Sequence, residues 1–374
     1  MTQKTLKVGI ISGNFGMYAH KPGWEACPGV EVAAVCTSRE ETARVAAAQN
    51  GIAKAYWNHV DMARDPDLDI IVVGTKPNLR RDMVLEAIRN GKHVFAMAPL
   101  AANLTDARDM RDAARAAGVV AGIDSVLPWH GANRFIRDEL VSGRAGKPIS
   151  VEARFVINLF NGNPHGDYWQ WFGVRSNGAS VYRNLGTHTL HLLVYLLGEV
   201  EAVAALTTIA LKEWHFQDGT MMRPQVADTA QILLRFANGT MGTVTLGWCA
   251  APISGWRMEL SAANVSYRTE DTGYFPTNRD QKLFRGDRTQ GFTPIAVPPA
   301  YPSIPTEQFQ SELGAAQAWD ITQAAQDFVR AVRTGGAPLP DFETGYHVEA
   351  VVEAISRAAE TRSWVDVASV AAGF

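Results

Sequence analysis

Leu6-Lys-Val-Gly-Ile-Ile-Ser-Gly-Asn-Phe-Gly-Met17 is an apolar strand-like run followed at once by a turn with two glycines. A buried strand leading through a glycine turn into a helix is how a parallel α/β sheet begins. Outward from it, β-branched runs recur at Val30 to Thr37, Ile70 to Gly74, His93 to Ala96 and Val119 to Ile123. Amphipathic stretches separate them, among them Arg39 to Asn50, closed by Gly51, and Arg80 to Arg89, closed by Asn90-Gly91. Glycine or asparagine just past a periodic stretch is a helix stop. The alternation predicts an α/β N-terminal doubly wound domain over residues 1–127.

After Pro128 the texture changes. Ala132 to Ser142 reads as a helix, and then alternating runs appear at Ser150 to Asn158, Gln231 to Ala237, Thr240 to Gly247 and Arg257 to Ser261. Period-two patterning with one polar face signals antiparallel strands. Asn238-Gly239 is a hairpin turn between two of them. Gly286 to Pro305 reads as a long loop and Ala315 to Arg333 as a helix. Residues 128–374 are therefore expected to form an α+β C-terminal domain with an open, mainly antiparallel sheet, serving substrate binding and oligomerisation.

The chain has 374 residues, 47% hydrophobic and 20% charged, enough for two packed domains. A formal net charge of -3 gives no reason to expect nucleic acid or an anionic membrane as partner. No run of 18 apolar residues is present to span a bilayer, and Met1 to Lys7 lacks an apolar export core, so a cytoplasmic location is expected. Cys27, Cys36 and Cys249 are too few and scattered for a disulfide framework and read as buried thiols.

Several motifs in this order resemble the glucose-fructose oxidoreductase and inositol dehydrogenase (Gfo/Idh/MocA) family. They are Val8-Gly-Ile-Ile11, Pro28-Gly-Val-Glu-Val-Ala-Ala-Val35, Asp69-Ile-Ile-Val-Val-Gly-Thr-Lys-Pro77, Ala87-Ile-Arg-Asn-Gly-Lys-His-Val94 and Gly186-Thr-His188 with the run to Leu197-Gly198. The resemblance implies a Rossmann domain followed by an open-sheet domain, and a nicotinamide dinucleotide as cofactor.

The turn Ser12, Gly13, Asn14, Phe15, Gly16 stands where dinucleotide folds carry G-x-G-x-x-G, with its glycines out of register. Its small residues and free amides favour phosphate binding; the plain alternative is a tight turn with no ligand. At the end of strand two, where NAD-preferring folds place an acid on the ribose hydroxyls, the chain has Thr37, Ser38 and Arg39. Two hydroxyls and a guanidinium suit a 2'-phosphate, so NADP(H) is the expected cofactor. Ser38 could equally cap the helix that follows. By resemblance, Gly74, Thr75 and Pro77 line the same site.

The resemblance implies an E-K-P tripeptide whose lysine lies beside the reacting hydroxyl, and this chain has Met97-Ala98-Pro99 there. Alanine can neither polarise nor deprotonate an alcohol. Ala98 is kept as a cofactor-side residue only. The second motif, D-x-G-x-H-x-x-D in the family, reads Asn184-Leu-Gly186-Thr-His188-Thr-Leu-His191. His188 is the expected acid/base, with Asn184 and His191 beside it; the bland alternative is a core histidine. A metal site would need His165 to join His188 and His191, which nothing in the spacing secures, so no metal is expected.

Tyr168, Trp169 and Trp171 lie in a glycine- and asparagine-rich stretch and, with Trp129 and Arg183, are candidate substrate contacts. Aromatic faces suit sugars, although the tryptophans could equally be core. Three functions fit: an NADP(H)-dependent oxidoreductase acting on a sugar-like or other cyclic hydroxy or keto compound; a lyase, dehydratase or isomerase in the same cleft; and a non-catalytic nucleotide or sugar sensor, as in a branch of the family that lacks the lysine. A homodimer or homotetramer is expected, because an open sheet face needs covering.

Overall fold

The computed structural model describes residues 4–162, 166–250, 255–301 and 313–372. His165 lies outside the described residues. The chain divides into two compact units, one of residues 1–101, 105–126 and 304–346, the other of 102–104, 127–303 and 347–374.

The first unit carries β1 (Leu6–Ile11), β2 (Val30–Cys36), β3 (Lys54–Tyr56), β4 (Ile70–Val73), β5 (His93–Ala96) and β6 (Ala121–Ile123). They form one all-parallel sheet in the order β3-β2-β1-β4-β5-β6, the doubly wound order with its switch between β1 and β4. Ile70 to Val73 are each 0% exposed, as a central strand covered on both faces must be. A π-turn over Gly16–His20 leads into α1 (Lys21–Glu25), followed by α2 (Glu40–Asn50), α3 (His59–Arg64), α4 (Pro77–Arg89) and α5 (Leu104–Ala117). Gly51 closes α2 at φ 64° with its N–H on the Ala47 carbonyl, as its position past the last helical residue predicts. α4 starts three residues earlier than the apolar period suggests, because Pro77 pre-sets its first turn.

The second unit carries α6 (Gly131–Val141), β7 (Pro148–Val156), α7 (Val181–Leu197), β8 (Val200–Thr208), a small hairpin of β9 (Trp214–His215) and β10 (Met221–Met222), then β11 (Thr229–Phe236), β12 (Met241–Gly247), β13 (Gly255–Ala262), β14 (Ser266–Asp271), β15 (Lys282–Gly286) and β16 (Thr293–Ile295). With β17 (Val365–Asp366) they give a nine-stranded sheet, order β16-β15-β14-β13-β7-β12-β11-β8-β17. All its neighbours are antiparallel except β7 and β12. Along β11, Ala230, Ile232, Leu234 and Phe236 are buried while Gln231, Leu233 and Arg235 face outward. The hairpin turn predicted at Asn238-Gly239 is present: Gly239 sits at φ 86° and the Asn238 side chain accepts from the Thr240 N–H. α7 packs on the inner face, and Gly186 lets it approach, since a Cβ there would meet Leu246 at 3.2 Å.

Three expectations need correction. The stretch from Gly286 is not wholly loop, because Thr293–Ile295 pairs with β15 as an edge strand. β3 escaped prediction because its three residues, Lys54 to Tyr56, are all half-buried and show no alternation. Residues 128–374 are not one body: α8 (Leu313–Thr334) returns to the first unit. The reason is aromatic packing, in which Phe328 meets Phe95 at 5.3 Å and Trp24 at 5.9 Å between ring centres, all three buried. The last long helix, α9 (Phe342–Thr361), begins in the first unit and ends in the second. Among the described residues no helix is long and apolar enough to cross a membrane.

Candidate functional site

In the first unit the candidate residues gather at the carboxyl ends of the parallel strands, where ligands of doubly wound sheets bind. Gly13 and Asn14 are exposed, and among the described residues no group bonds the amides of Gly13, Asn14 or Phe15. Gly16 is required by packing: its N–H reaches the Ser12 hydroxyl at 3.2 Å, and a Cβ on it would meet Ser12 Cβ at 2.5 Å. Gly74, at the end of β4, bonds back to the Ile11 carbonyl, and a Cβ on it would meet Met97 Sδ at 2.7 Å. Ser12, Gly16 and Gly74 therefore form one small-residue cluster at the sheet edge, with the Met97 side chain packed against it. Pro77 is buried at the start of α4, while Thr75 is half-buried with its hydroxyl 3.6 Å from Met83 Sδ.

Thr37, Ser38 and Arg39 divide. The Thr37 hydroxyl lies 2.6 Å from that of Thr42 and donates to the Arg39 carbonyl, so it stabilises the loop itself. Ser38 and Arg39 are exposed, and among the described residues no ion pair takes the Arg39 guanidinium. The alternative in which Ser38 caps the helix is not what forms: Arg39 is the N-cap of α2, with no side-chain cap bond, and Glu40 and Glu41 fill the first turn.

The Met97-Ala98-Pro99 turn is held from two sides. Arg80, only 2% exposed, donates to the carbonyls of Thr75, Met97, Pro99 and Leu100. From the other side the Asp124 carboxylate accepts the Ala98 N–H at 2.6 Å and lies 3.1 Å from His20 Nε2. None of these three residues was expected from sequence. Asp124 left a signal, an acid directly after the buried strand β6 at the ligand edge of the sheet; Arg80 left none, because its partners are backbone carbonyls.

In the second unit, Ser180 caps α7 by accepting the Arg183 N–H, and Asn184 Oδ1 accepts the Ser180 N–H in return. Asn184, expected beside the acid/base, is thus also a capping partner of α7. His188 stands one turn further along the same face, half-buried and edge-on to Phe275 at 5.1 Å. His191 is 2% exposed and points into the packed interior. Arg183, expected as a substrate contact, is buried and ion-paired with Glu349, itself 1% exposed.

The aromatic residues separate in the same way. Trp214, Trp248 and Trp256 are 0% exposed and belong to the core. Tyr168, Trp169 and Trp171 stand on a 3-10 turn over Asp167–Gly173, with Tyr168 54% exposed and both tryptophans half-buried. Trp169 stacks on Phe172 at 5.0 Å, and Phe172 meets Trp248 at 5.4 Å, so this wall is anchored to the core. Trp129 is half-buried with the Arg134 guanidinium 5.5 Å from its ring. A cavity of about 340 Å³ opens beside the N-terminal turn of α7, lined by Arg175, Ser180, Tyr182, Arg183, Gln225 and Glu360 but by neither His188 nor Asn184. Burial raises the Cys27 and Cys36 thiols to about 12, so neither is a ready nucleophile.

A parallel sheet with a glycine turn at its ligand edge, followed by an open-sheet unit whose first long helix carries a partly exposed histidine, is the layout of two-domain nucleotide-dependent oxidoreductases. Residues 6–125 match the oxidoreductase family with NAD-binding Rossmann fold, and residues 134–268 match the GFO/IDH/MocA C-terminal domain. The chain belongs to the Gfo/Idh/MocA family. It is 34% identical to 1,5-anhydro-D-fructose reductase of Ensifer adhaerens over 52% of this chain and 57% of that relative. It is 25% identical to levoglucosan dehydrogenase of Pseudarthrobacter phenanthrenivorans over 99% of this chain and 100% of that one. D-apiose dehydrogenase of Paraburkholderia graminis is likewise 25% identical over 99% of this chain and 92% of its own length. In fold it is similar to the structure of levoglucosan dehydrogenase in complex with NADH and levoglucosan, with a TM-score of 0.86, 23% identity, and coverage of 96% and 98% of the two chains.

Proposed function

We propose that the protein is an NADP(H)-dependent oxidoreductase of a sugar-like or other cyclic hydroxy or keto compound, with His188 as its acid/base. The observation that carries this reading is the run of amides from Gly13 to Phe15 at the ligand edge of the parallel sheet, which no group bonds among the described residues, with exposed Ser38 and Arg39 at the end of β2. The amides suit a pyrophosphate, and the hydroxyl and guanidinium suit a 2'-phosphate where an acid would repel it. Ser12, Gly13, Asn14, Phe15, Gly16, Gly74, Thr75, Pro77 and the Ala98 turn would hold the dinucleotide, with Ser38 and Arg39 at its adenosine end. When bound, the nicotinamide supplies the hydride chemistry.

Ala98 stands where the family motif places its lysine, which leaves His188 to give or take the proton. Ketone reduction needs one proton donor and the reverse alcohol oxidation one proton acceptor, so a single half-exposed histidine can serve either direction. Tyr168, Trp169 and Trp171 offer stacking faces for a sugar ring, and three relatives are named for sugars or anhydrosugars.

The expected macromolecular partner is a second copy of this chain. The outward face of the nine-stranded sheet exposes Leu206, Leu233 and Met241. It also sets Arg154 and Arg257 in one cross-strand row and Glu152 and Glu259 in the adjacent one. A two-fold axis running across the strands between those rows places each basic row over the partner's acidic row.

Titration with NADPH and NADH by fluorescence, then absorbance with a panel of sugars and cyclic ketones, tests the main reading. NADPH binding with turnover that His188→Ala lowers by about 10²–10⁴ fits. Absence of binding to either nucleotide sinks it, binding without turnover favours a sensor, and turnover without net change in NADPH favours a lyase or isomerase.

A further inference from the structure

Asp124 and His20 form a buried pair that the proposed chemistry does not use. Their side chains are 5% and 0% exposed, and one Asp124 oxygen lies 3.1 Å from His20 Nε2 while the other accepts the Ala98 N–H. A buried carboxylate is costly, and replacing a buried ionic pair by apolar side chains of like volume is often neutral for stability. What an apolar pair could not do is join two backbone segments. His20 ends the π-turn that grows out of the Ser12 to Gly16 loop, and Ala98 belongs to the turn after β5. β1 and β5 are separated by β4 alone, so their carboxyl ends lie about 10 Å apart along the sheet edge. Phe15 and Phe95 flank the His20 ring at 5.3 and 6.2 Å, which fixes its plane. Arg80 already holds the carbonyls of Met97, Pro99 and Leu100, leaving the Ala98 amide as the handle on which Asp124 acts.

We infer that Asp124, with His20, is a positioning residue that sets the Met97 to Pro99 turn at a fixed spacing from the Ser12 to Gly16 turn, so that a dinucleotide spanning both is held at its two ends together. This rests on the reading that the first unit binds a dinucleotide. The pair touches no ligand; it acts through the Ala98 peptide and through the helix that begins at the phosphate turn. A fragment bound at the first turn alone is indifferent to it.

The test compares whichever of NADPH and NADH binds more tightly with its ADP-ribose fragment lacking the nicotinamide ring, on the full chain. Asp124→Ala is expected to weaken the whole dinucleotide about tenfold or more while changing the fragment by less than about twofold, the loss of one charge-assisted hydrogen bond. Asp124→Asn keeps an acceptor for the Ala98 N–H and a donor for His20, and is expected to recover most of the affinity. Equal affinities in wild type and Asp124→Ala, or equal losses for dinucleotide and fragment, overturn the inference. Should Asp124→Ala not fold, Asp124→Asn and His20→Gln decide it by the same ratio of dinucleotide to fragment. Wild-type protein that binds no nucleotide overturns this inference together with the function it rests on, whereas a wild type that binds and an Asp124→Ala variant that binds equally well overturn the inference alone.

Discussion

Replacing Arg183 by methionine separates a structural cation from a substrate contact. The residue sits at the start of α7, 8% exposed, and its guanidinium meets Glu349 of α9, 1% exposed. Removing one partner of a buried ion pair leaves a carboxylate in low dielectric without its cation, a loss of about 3–5 kcal/mol. For a unit of this size each kcal/mol lowers the melting temperature by about 2–4 °C, so Arg183→Met is expected to melt about 6–20 °C below wild type. The double variant Arg183→Met with Glu349→Leu removes both charges and should return to within about 1–2 kcal/mol of wild type, the coupling that a double-mutant cycle isolates. Thermal melting of the four proteins, with KM measured well below every transition, supplies both readouts. A single variant that melts with the wild type but raises KM would refute the structural role and restore Arg183 to the substrate list.

Arg39→Glu puts a carboxylate where a 2'-phosphate is expected and should weaken NADPH by about tenfold or more while leaving NADH nearly unchanged; equal effects on both nucleotides would remove Arg39 from the site. Glu152→Arg with Glu259→Arg sets like charges against each other across the proposed two-fold and should yield monomers by sedimentation. Adding Arg154→Glu and Arg257→Glu should restore the assembly, and a wild-type monomer would end the argument.

What could be read in advance follows a physical line. Strands with one buried face, such as β11 and β12, announce themselves because burial imposes period two on the residues; β4, buried on both faces, shows as an unbroken apolar run. The glycine turn and the histidine of α7 stand out because the chemistry proposed for them depends on residue type at fixed spacing. The parts that stayed hidden depend on partners far along the chain. The ion pair of Arg183 with Glu349, 166 residues away, leaves no mark in the sequence around either residue. The bond from the Ser180 amide to the Asn184 side-chain oxygen depends on where α7 begins, which the motif does not state. Arg80 and Asp124 bind backbone groups, which no side-chain pattern records.

The return of α8 to the first unit has a consequence for how this protein can be divided. Trp24 and Phe95 are closed over by Phe328, and a Cβ on Gly122 would strike the same ring at 2.8 Å, so the parallel sheet is finished by residues more than 200 positions downstream of its last strand. A piece cut after residue 127 would carry all six strands and still present a bare aromatic face to water. The nucleotide half is therefore not a cassette that can be lifted out or exchanged at one junction, and a chimera with a relative must carry both crossings of the chain.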